Sequence, residues 1–137
     1  MQRMESGAPH VPVLFREAIE LLGIKPGVTA VDCTAGAGGH LAALAEAVGP
    51  EGRVIAFDRD LRAHQDDAAG GVAKKYEDRV TLLHAPFSDV KTELEKLGID
   101  GVDVLLADLG VSSMQLDEDE RGFSFQREGP LDMRMDP

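Results

Sequence analysis

The sequence has few of the residues that cross-link a chain, coordinate a metal or anchor a protein in a membrane. Its 137 residues include one cysteine, Cys33, which excludes an internal disulfide, and nothing in it suggests a metal site. No apolar run is long enough to cross a bilayer, and the first ten residues lack the apolar core of a signal peptide. We therefore expect a cytoplasmic protein without metal or membrane contact, in which Cys33 is a small buried side chain.

Basic residues are also scarce. The chain has 14 Lys and Arg residues against 25 Asp and Glu residues, a formal net charge of −11. Phosphate binding depends on Lys and Arg, so this balance argues against a segment that grips nucleic acid by itself. Hydrophobic residues make up 43%, which predicts one small globular domain rather than a disordered chain.

Four short apolar segments alternate with segments of helical periodicity. The predicted strands cover 28–33, 53–57, 80–84 and 102–107, and their alternation with helices predicts an α/β fold with a parallel sheet. The first helix is expected from Val11, with an apolar stripe of Leu14, Ala18, Leu21 and Leu22. Residues 1–9 are predicted to be a tail, 10–111 the folded domain, and 112–137 a loop or the start of an inserted region.

Two later helices carry local signals. Between Leu61 and Lys75, a glycine pair at Gly70 and Gly71 predicts a break, because each glycine costs a helix about 1 kcal/mol relative to alanine. The last predicted helix is expected to be capped by Ser88 and to end at Gly98.

Three of the four predicted strands end in aspartate, at Asp32, Asp58 and Asp108. Ligands of such sheets bind outside the carboxyl ends of the strands. Carboxylates accept hydrogen bonds from hydroxyl and amino groups, so this edge suits those groups rather than phosphate. Asp32 has an alternative role as a cap of the helix that follows it.

A glycine-rich turn at 34–39 follows the first strand, and Asp58 lies 22 residues after Gly36. Such a turn lets a ligand lie against backbone, and an acid at the end of the second strand binds the ribose hydroxyls of adenosine cofactors. The dinucleotide fingerprint requires a third glycine where this chain has Leu41. The pattern therefore favours S-adenosylmethionine, whose sulfonium cation suits an acidic site, over NAD.

Several blocks resemble the bacterial 16S ribosomal RNA cytosine-N4 methyltransferases of the MraW type. They are HVPVL at 10–14, GGH at 38–40, DRD at 58–60, DLGVSSMQLD at 108–117, RGFSF at 121–125 and GPLDMRMDP at 129–137. The resemblance implies a Rossmann-like class I S-adenosylmethionine-dependent methyltransferase fold. It also implies that the chain is the N-terminal part of such an enzyme, truncated after the fourth strand.

The resemblance further implies a set of site residues. Gly38, Gly39 and His40 would contact the methionine end of the cofactor, and Asp58 the ribose. Phe87 would pack on the adenine, although an aromatic in this position read alone is more often part of the core. Asp108 and Gln115 would close the site near the methyl group, with Asp108 as the catalytic acceptor of hydrogen bonds from the target amine.

The expected reaction is N4-methylation of a cytidine in 16S ribosomal RNA of the small ribosomal subunit. We expect the chain alone to bind the cofactor but not to methylate RNA. The predicted strand order 3-2-1-4 leaves the fourth strand as an open edge, which predicts self-association. Two alternatives stay open at this point: a non-catalytic module that binds an adenosine ligand, and an NAD-dependent oxidoreductase.

Overall fold

The computed structural model describes residues 15–110, in which helices cover both faces of a four-stranded sheet. Two 3-10 turns, Leu61–His64 and Phe87–Asp89, supplement the regular elements. In chain order these elements are α1 Phe15–Leu22, β1 Thr29–Asp32, α2 Gly39–Val48, β2 Arg53–Phe57, α3 Ala69–Lys75, β3 Val80–Leu83, α4 Val90–Lys96 and β4 Val104–Leu106.

The sheet has the order β3-β2-β1-β4, and every pair of neighbours is parallel. This confirms the predicted order and fold class. Asp32, the last residue of β1, lies opposite Ala56 of β2 and Leu106 of β4. Because all four strands point the same way, the residues that follow them meet at one edge, which we call the carboxyl edge.

Alternation along the strands divides the core into two layers. Ala30, Val54 and Ala56 face the layer that contains α2, where Leu44 and other side chains are completely buried. The intervening residues face the other layer, which α4 covers; they are Val31, Cys33, Ile55 and Phe57. Cys33 is buried there, as predicted. Short strands buried on both faces are typical of a doubly wound α/β domain.

The apolar stripe of α1 differs from the predicted one. Leu21 was expected on the buried face, but it is 87% exposed. The residues that pack against the core are Ile19 and Leu22, and Phe15 contacts His40 of α2. The buried stripe therefore runs through positions i, i+4 and i+7 from Phe15. The apolar residues of this segment are compatible with either stripe, so the sequence alone did not decide between them.

The predicted break at Gly70 and Gly71 is wrong in its position. The break comes earlier, at residues 65–68, and both glycines lie inside the first turn of α3. A Cβ at Gly70 would overlap the carbonyl oxygen of His64, and one at Gly71 would overlap the carbonyl oxygen of Asp66. The glycines are there because the preceding backbone packs directly against the helix.

The predicted cap of α4 is also wrong. Ser88 lies in the 3-10 turn, and the N-cap residue of α4 is Asp89, without a side-chain cap. The Ser88 hydroxyl donates to the carboxylate of Asp89 (3.3 Å) and does not accept from an N–H group of the helix. The other end agrees with the prediction, because Gly98 adopts a φ of 72° directly beyond the helix. A positive φ is cheap only for glycine, so Gly98 ends the helix at little cost.

Several predictions concern residues outside 15–110. They are the tail at 1–9, the start of the first helix at Val11, the domain boundary at 111, the region 112–137, the role of Gln115 and most residues of the outer sequence blocks. In the described part of the chain, no helix has the length and apolar character needed to cross a membrane.

Candidate functional site

Threonine 34 connects the ends of β1 and β4 at the carboxyl edge. Its backbone N–H donates to Oδ1 of Asp32 (3.0 Å), and its Oγ1 accepts a hydrogen bond from the backbone N–H of Asp108 (2.7 Å). The carboxyl group of Asp108 itself belongs to an exposed residue. One short polar side chain thus fixes the position of the loop that carries Asp108 relative to Asp32.

Asp58 connects the end of β2 to the glycine turn. One carboxylate oxygen accepts from the backbone N–H of Gly36 (2.8 Å), and the other accepts from the N–H of Asp60 (2.8 Å). Burial raises the pKa of Asp58, and these two hydrogen bonds act in the opposite direction. A carboxylate has about four acceptor positions, so two backbone donors leave capacity for two ligand hydroxyls.

Two glycines of the turn, Gly36 and Gly38, differ in the space around the position where a Cβ would lie. Gly38 has a φ of 92°, and a Cβ there would lie 2.7 Å from Cγ2 of Val72 and 3.1 Å from Cα of Ala69. Gly38 is therefore required by the packing of α3 against the turn. Gly36 has a φ of 50°, but the nearest atom to a Cβ there is the carbonyl oxygen of Thr34, at 3.8 Å. The backbone at Gly36 is thus open enough for close approach of a ligand.

Asp32 is completely buried, and it does not cap α2. The N-cap of that helix is Gly38, and Oδ1 of Asp32 binds the turn at Thr34 instead. Its second oxygen, Oδ2, has no hydrogen-bond partner among residues 15–110. Burial, assisted by the nearby charges of Asp58 and Asp108, raises the pKa of Asp32 to about 7.

His40, in the first turn of α2, has a second unpartnered atom at this edge. The residue is buried, its ring lies 5.1 Å from the ring of Phe15, and Nε2 has no partner within the described part of the chain. Burial lowers the pKa of His40, which keeps the ring neutral at pH 7. Buried polar atoms without partners are rare in folded proteins. These two atoms therefore leave hydrogen-bonding capacity at the carboxyl edge that residues 15–110 do not use.

An apolar side chain follows each of three strands at the carboxyl edge. Phe87, in the turn after β3, is 49% exposed, so the alternative that it belongs to the core is wrong. Leu61 follows β2, Leu109 follows β4, and both are exposed as well. An exposed aromatic at the rim of a polar site suits the face of a planar ring such as adenine.

Two histidines that the sequence did not indicate support the turn after β2. Nε2 of His64 donates to the carbonyl oxygen of Asp58 (2.9 Å), and Nε2 of His84 donates to that of Arg59 (3.0 Å). Their rings meet edge to face, with centroids 5.2 Å apart. The sequence did not indicate Thr34 either. The available signal was position, since Thr34 and His64 follow predicted strands and His84 is the last residue of one.

The predicted site residues within 15–110 all lie at the carboxyl edge or in the first turn of α2. They are Gly38, Gly39, His40, Asp58, Phe87 and Asp108. The charges of Asp58 and Asp108 both act on Asp32, and that of Asp108 acts on His40. No three His, Cys, Asp or Glu side chains in this part of the chain are arranged to hold a metal ion. The edge offers acceptors for hydroxyl groups and negative charge for a cation.

The buried carboxyl of Asp32 leads to a prediction about stability. Its pKa is raised from 3.8 to about 7 in the folded protein, so this group destabilises the fold progressively as pH rises from 4 to 7, and fully above that. Asp32→Asn removes the charge and keeps an acceptor oxygen for Thr34. We expect the substitution to raise the free energy of unfolding, relative to the wild type, by about 1–3 kcal/mol more at pH 8 than at pH 5. Urea unfolding at both values measures this, and an equal effect at both would contradict it.

Comparison with protein families gives a match over nearly the whole of this chain. A sequence model of the MraW methylase family matches residues 7–137. Two curated relatives, each named ribosomal RNA small subunit methyltransferase H, are 51% identical. The protein from Alteromonas mediterranea aligns over 93% of this chain and 40% of its own length, and that from Aromatoleum aromaticum over 97% and 41%. The chain therefore spans about 40% of the length of these relatives.

A solved structure has a similar fold. The S-adenosylmethionine-dependent O-methyltransferase from Thermotoga maritima superposes with a TM-score of 0.55 at 27% sequence identity. The match covers 77% of this chain and 38% of that protein.

Proposed function

The chain belongs to the MraW methylase family, and we propose that it binds S-adenosylmethionine at the carboxyl edge as part of a ribosomal RNA methyltransferase. The observation that carries the proposal is the pairing of Asp58, at the end of β2, with the glycine turn after β1. This is the arrangement in which an acid accepts the ribose hydroxyls of an adenosine cofactor. The named relatives and the similar methyltransferase structure support the same cofactor.

We assign the parts of the cofactor to residues of this edge. The polar atoms of His40 and Asp32 that lack partners suit the methionine end, next to Gly38 and Gly39. Asp58 takes the ribose, and the exposed ring of Phe87 takes the adenine. The assignment of Gln115 to the methyl end rests on the family resemblance alone, because Gln115 lies outside the described residues.

The proposed reaction is transfer of a methyl group to the exocyclic amine of a cytosine. When bound, the cofactor supplies a methyl group activated by the sulfonium charge. The amine forms the new N–C bond as the C–S bond breaks, and it loses one proton. Because this amine is a weak nucleophile, we assign to Asp108 the acceptance of its hydrogen bond and then of that proton. Holding both reactants in line supplies up to about 7–11 kcal/mol in ideal cases.

We propose small-subunit ribosomal RNA as the substrate class, from the names of the relatives. The net charge of −11 opposes contact with phosphate. We therefore propose that this portion of the family's length holds the cofactor, while the region that relatives have beyond the match makes most of the RNA contacts. The target base must be unstacked to reach the methyl group, which costs least in irregular RNA.

Self-association through β4 stays a prediction. In the described part of the sheet, β4 pairs with β1 on one side, and the side chain of Leu105 is 49% exposed. An open apolar edge of this kind favours pairing with another strand.

The two alternatives to a methyltransferase, an NAD-dependent oxidoreductase and a non-catalytic module that binds an adenosine ligand, are not equally supported. A fully buried Leu41 packs in the core where a dinucleotide fingerprint has its third glycine, and this disfavours an NAD enzyme. A non-catalytic module that binds an adenosine ligand would have the same edge. Binding assays do not separate that alternative from a methyltransferase, and the family match is what favours the methyltransferase.

Calorimetric titration of the 137-residue chain with S-adenosylmethionine, S-adenosylhomocysteine and NAD tests the cofactor assignment. We expect both sulfur ligands to bind and NAD to give no heat at comparable concentration, because the acidic edge repels a pyrophosphate. Tighter binding of NAD than of either sulfur ligand would contradict the proposal.

A further inference from the structure

The interior end of the candidate site contains a carboxyl group in which only one of the two oxygens has a hydrogen-bond partner. Asp32 has no exposed surface, Oδ1 accepts the N–H of Thr34, and Oδ2 has no partner in the described part of the chain. An asparagine side chain would accept the same N–H at lower cost, because a buried carboxylate without compensation is strongly destabilising. The presence of an acid here therefore points to a positively charged ligand group that compensates it.

Within residues 15–110, the groups around Asp32 supply negative charge and no fixed cation. Burial raises the pKa of the adjacent Cys33 thiol, and burial lowers that of His40, so both are neutral between pH 7 and 8. Asp58 and Asp108 act on Asp32 through like-charge repulsion. The titratable groups of the described residues that face Asp32 or its neighbours are Cys33 on β1, His40 on α2, Asp58, Asp60 and His64 after β2, and Asp108 after β4.

We propose that Asp32 is the residue by which this site distinguishes the methyl donor from its demethylated product, through the charge of its carboxylate. The proposal rests on the proposed function, since it assumes that these two ligands share the site. S-adenosylmethionine has a positive sulfur, whereas the sulfur of S-adenosylhomocysteine is neutral. The rest of the two ligands is the same, including the ammonium group of the methionine end, which the carboxylate attracts in both. The sulfonium charge is the part of this attraction that only the donor has, so the carboxylate favours the donor over the product and favours release of the product after transfer.

The preference depends on pH because Asp32 titrates near neutrality. With a pKa of about 7, roughly a tenth of the unliganded protein has an ionised Asp32 at pH 6, and roughly nine-tenths at pH 8. A cationic ligand selects the ionised form and expels the proton. We therefore expect donor affinity relative to product affinity to rise up to about tenfold from pH 6 to pH 8, and donor binding at pH 6.5 to release about half a proton or more.

The experiment measures the dissociation constants of both ligands by calorimetry from pH 6 to pH 8, in two buffers of different ionisation enthalpy. The ratio of the two constants is the readout, because titration of the amino and carboxyl groups that both ligands share cancels in it. Proton release follows from the difference between the buffers. The matched variant is Asp32→Asn, which keeps Oδ1 as an acceptor and leaves His40 and Asp58 in place.

The outcomes separate this proposal from the function on which it rests. A ratio that rises with pH in the wild type and is flat in Asp32→Asn supports the proposal. Binding of both ligands with a flat ratio and no released proton in the wild type overturns it and leaves the cofactor assignment intact. A ratio that rises equally in the variant assigns the effect to His40 or Asp58 and also overturns it. Binding of neither ligand by the wild type overturns both.

Discussion

Replacing Gly71 with alanine is expected to destabilise the protein by about 3 kcal/mol or more, and Gly70→Ala by a similar amount. In an ordinary helix this substitution stabilises by about 1 kcal/mol. Here the sign reverses, because each added Cβ would overlap a backbone carbonyl oxygen, that of His64 or that of Asp66. Backbone atoms cannot move aside as the end of a side chain can. Small domains have only about 5–15 kcal/mol of stability, so the loss is a large fraction.

Gly101→Ala is the matched control. Gly101 lies just before β4, and its φ is not in the left-handed region. Apart from its chain neighbours, no atom of residues 15–110 lies within 4 Å of an added Cβ. We expect it to be neutral or to stabilise by up to about 1 kcal/mol, because alanine restricts the unfolded chain. Urea unfolding of the three variants measures the differences. If Gly71→Ala matched Gly101→Ala in stability, the packing of α3 described above would be incorrect.

The same glycine pair shows where sequence analysis reaches its limit. Helix propensity is a local property, and from it Gly70 and Gly71 predict a break in a helix. What decides their role is the backbone of residues 64–66, which folds back against α3. That contact is tertiary and has no periodic signal. Leu21 is a similar case, because two rotations of α1 give comparable apolar stripes and only the packed core distinguishes them.

Strand positions and their parallel direction, by contrast, could be predicted from the residue pattern, while the strand order came from the family resemblance. Short β-branched runs separated by helical periods define parallel strands, and each run ended in the residue that now lies at the carboxyl edge. The aspartates at 32, 58 and 108 therefore came together as expected. Their hydrogen bonds could not be predicted, because the partners are backbone N–H groups whose directions depend on turn geometry.

Loss of the Asp58 carboxylate is expected to have the largest effect on ligand binding. In Asp58→Ala, two acceptors for ribose hydroxyls disappear, and the N–H groups of Gly36 and Asp60 lose their partners, which loosens the turn. Hydrogen bonds to a charged group contribute about 1.5–3 kcal/mol each. We expect affinity for S-adenosylhomocysteine to fall by at least about 3 kcal/mol, more than a hundredfold.

Asp103→Ala is the control for Asp58→Ala, because it also removes a carboxylate that accepts a hydrogen bond from a backbone N–H. Oδ2 of Asp103 accepts the N–H of Thr29 (2.9 Å), at the opposite edge of the sheet from the candidate site. This variant also loses a carboxylate that binds a neighbouring strand, but it leaves the carboxyl edge unchanged. We expect its affinity for S-adenosylhomocysteine to stay within about twofold of the wild type, a difference of less than 0.5 kcal/mol.

Calorimetric titration of S-adenosylhomocysteine into the wild-type chain, Asp58→Ala and Asp103→Ala tests the central claim most directly. Circular dichroism of each variant first establishes that it is folded at the temperature of the titration. The account predicts binding by the wild type and Asp103→Ala, with a loss of more than a hundredfold in Asp58→Ala. Equal affinity of all three proteins, or an equal loss in both variants, would contradict the assignment of the cofactor to the carboxyl edge at Asp58.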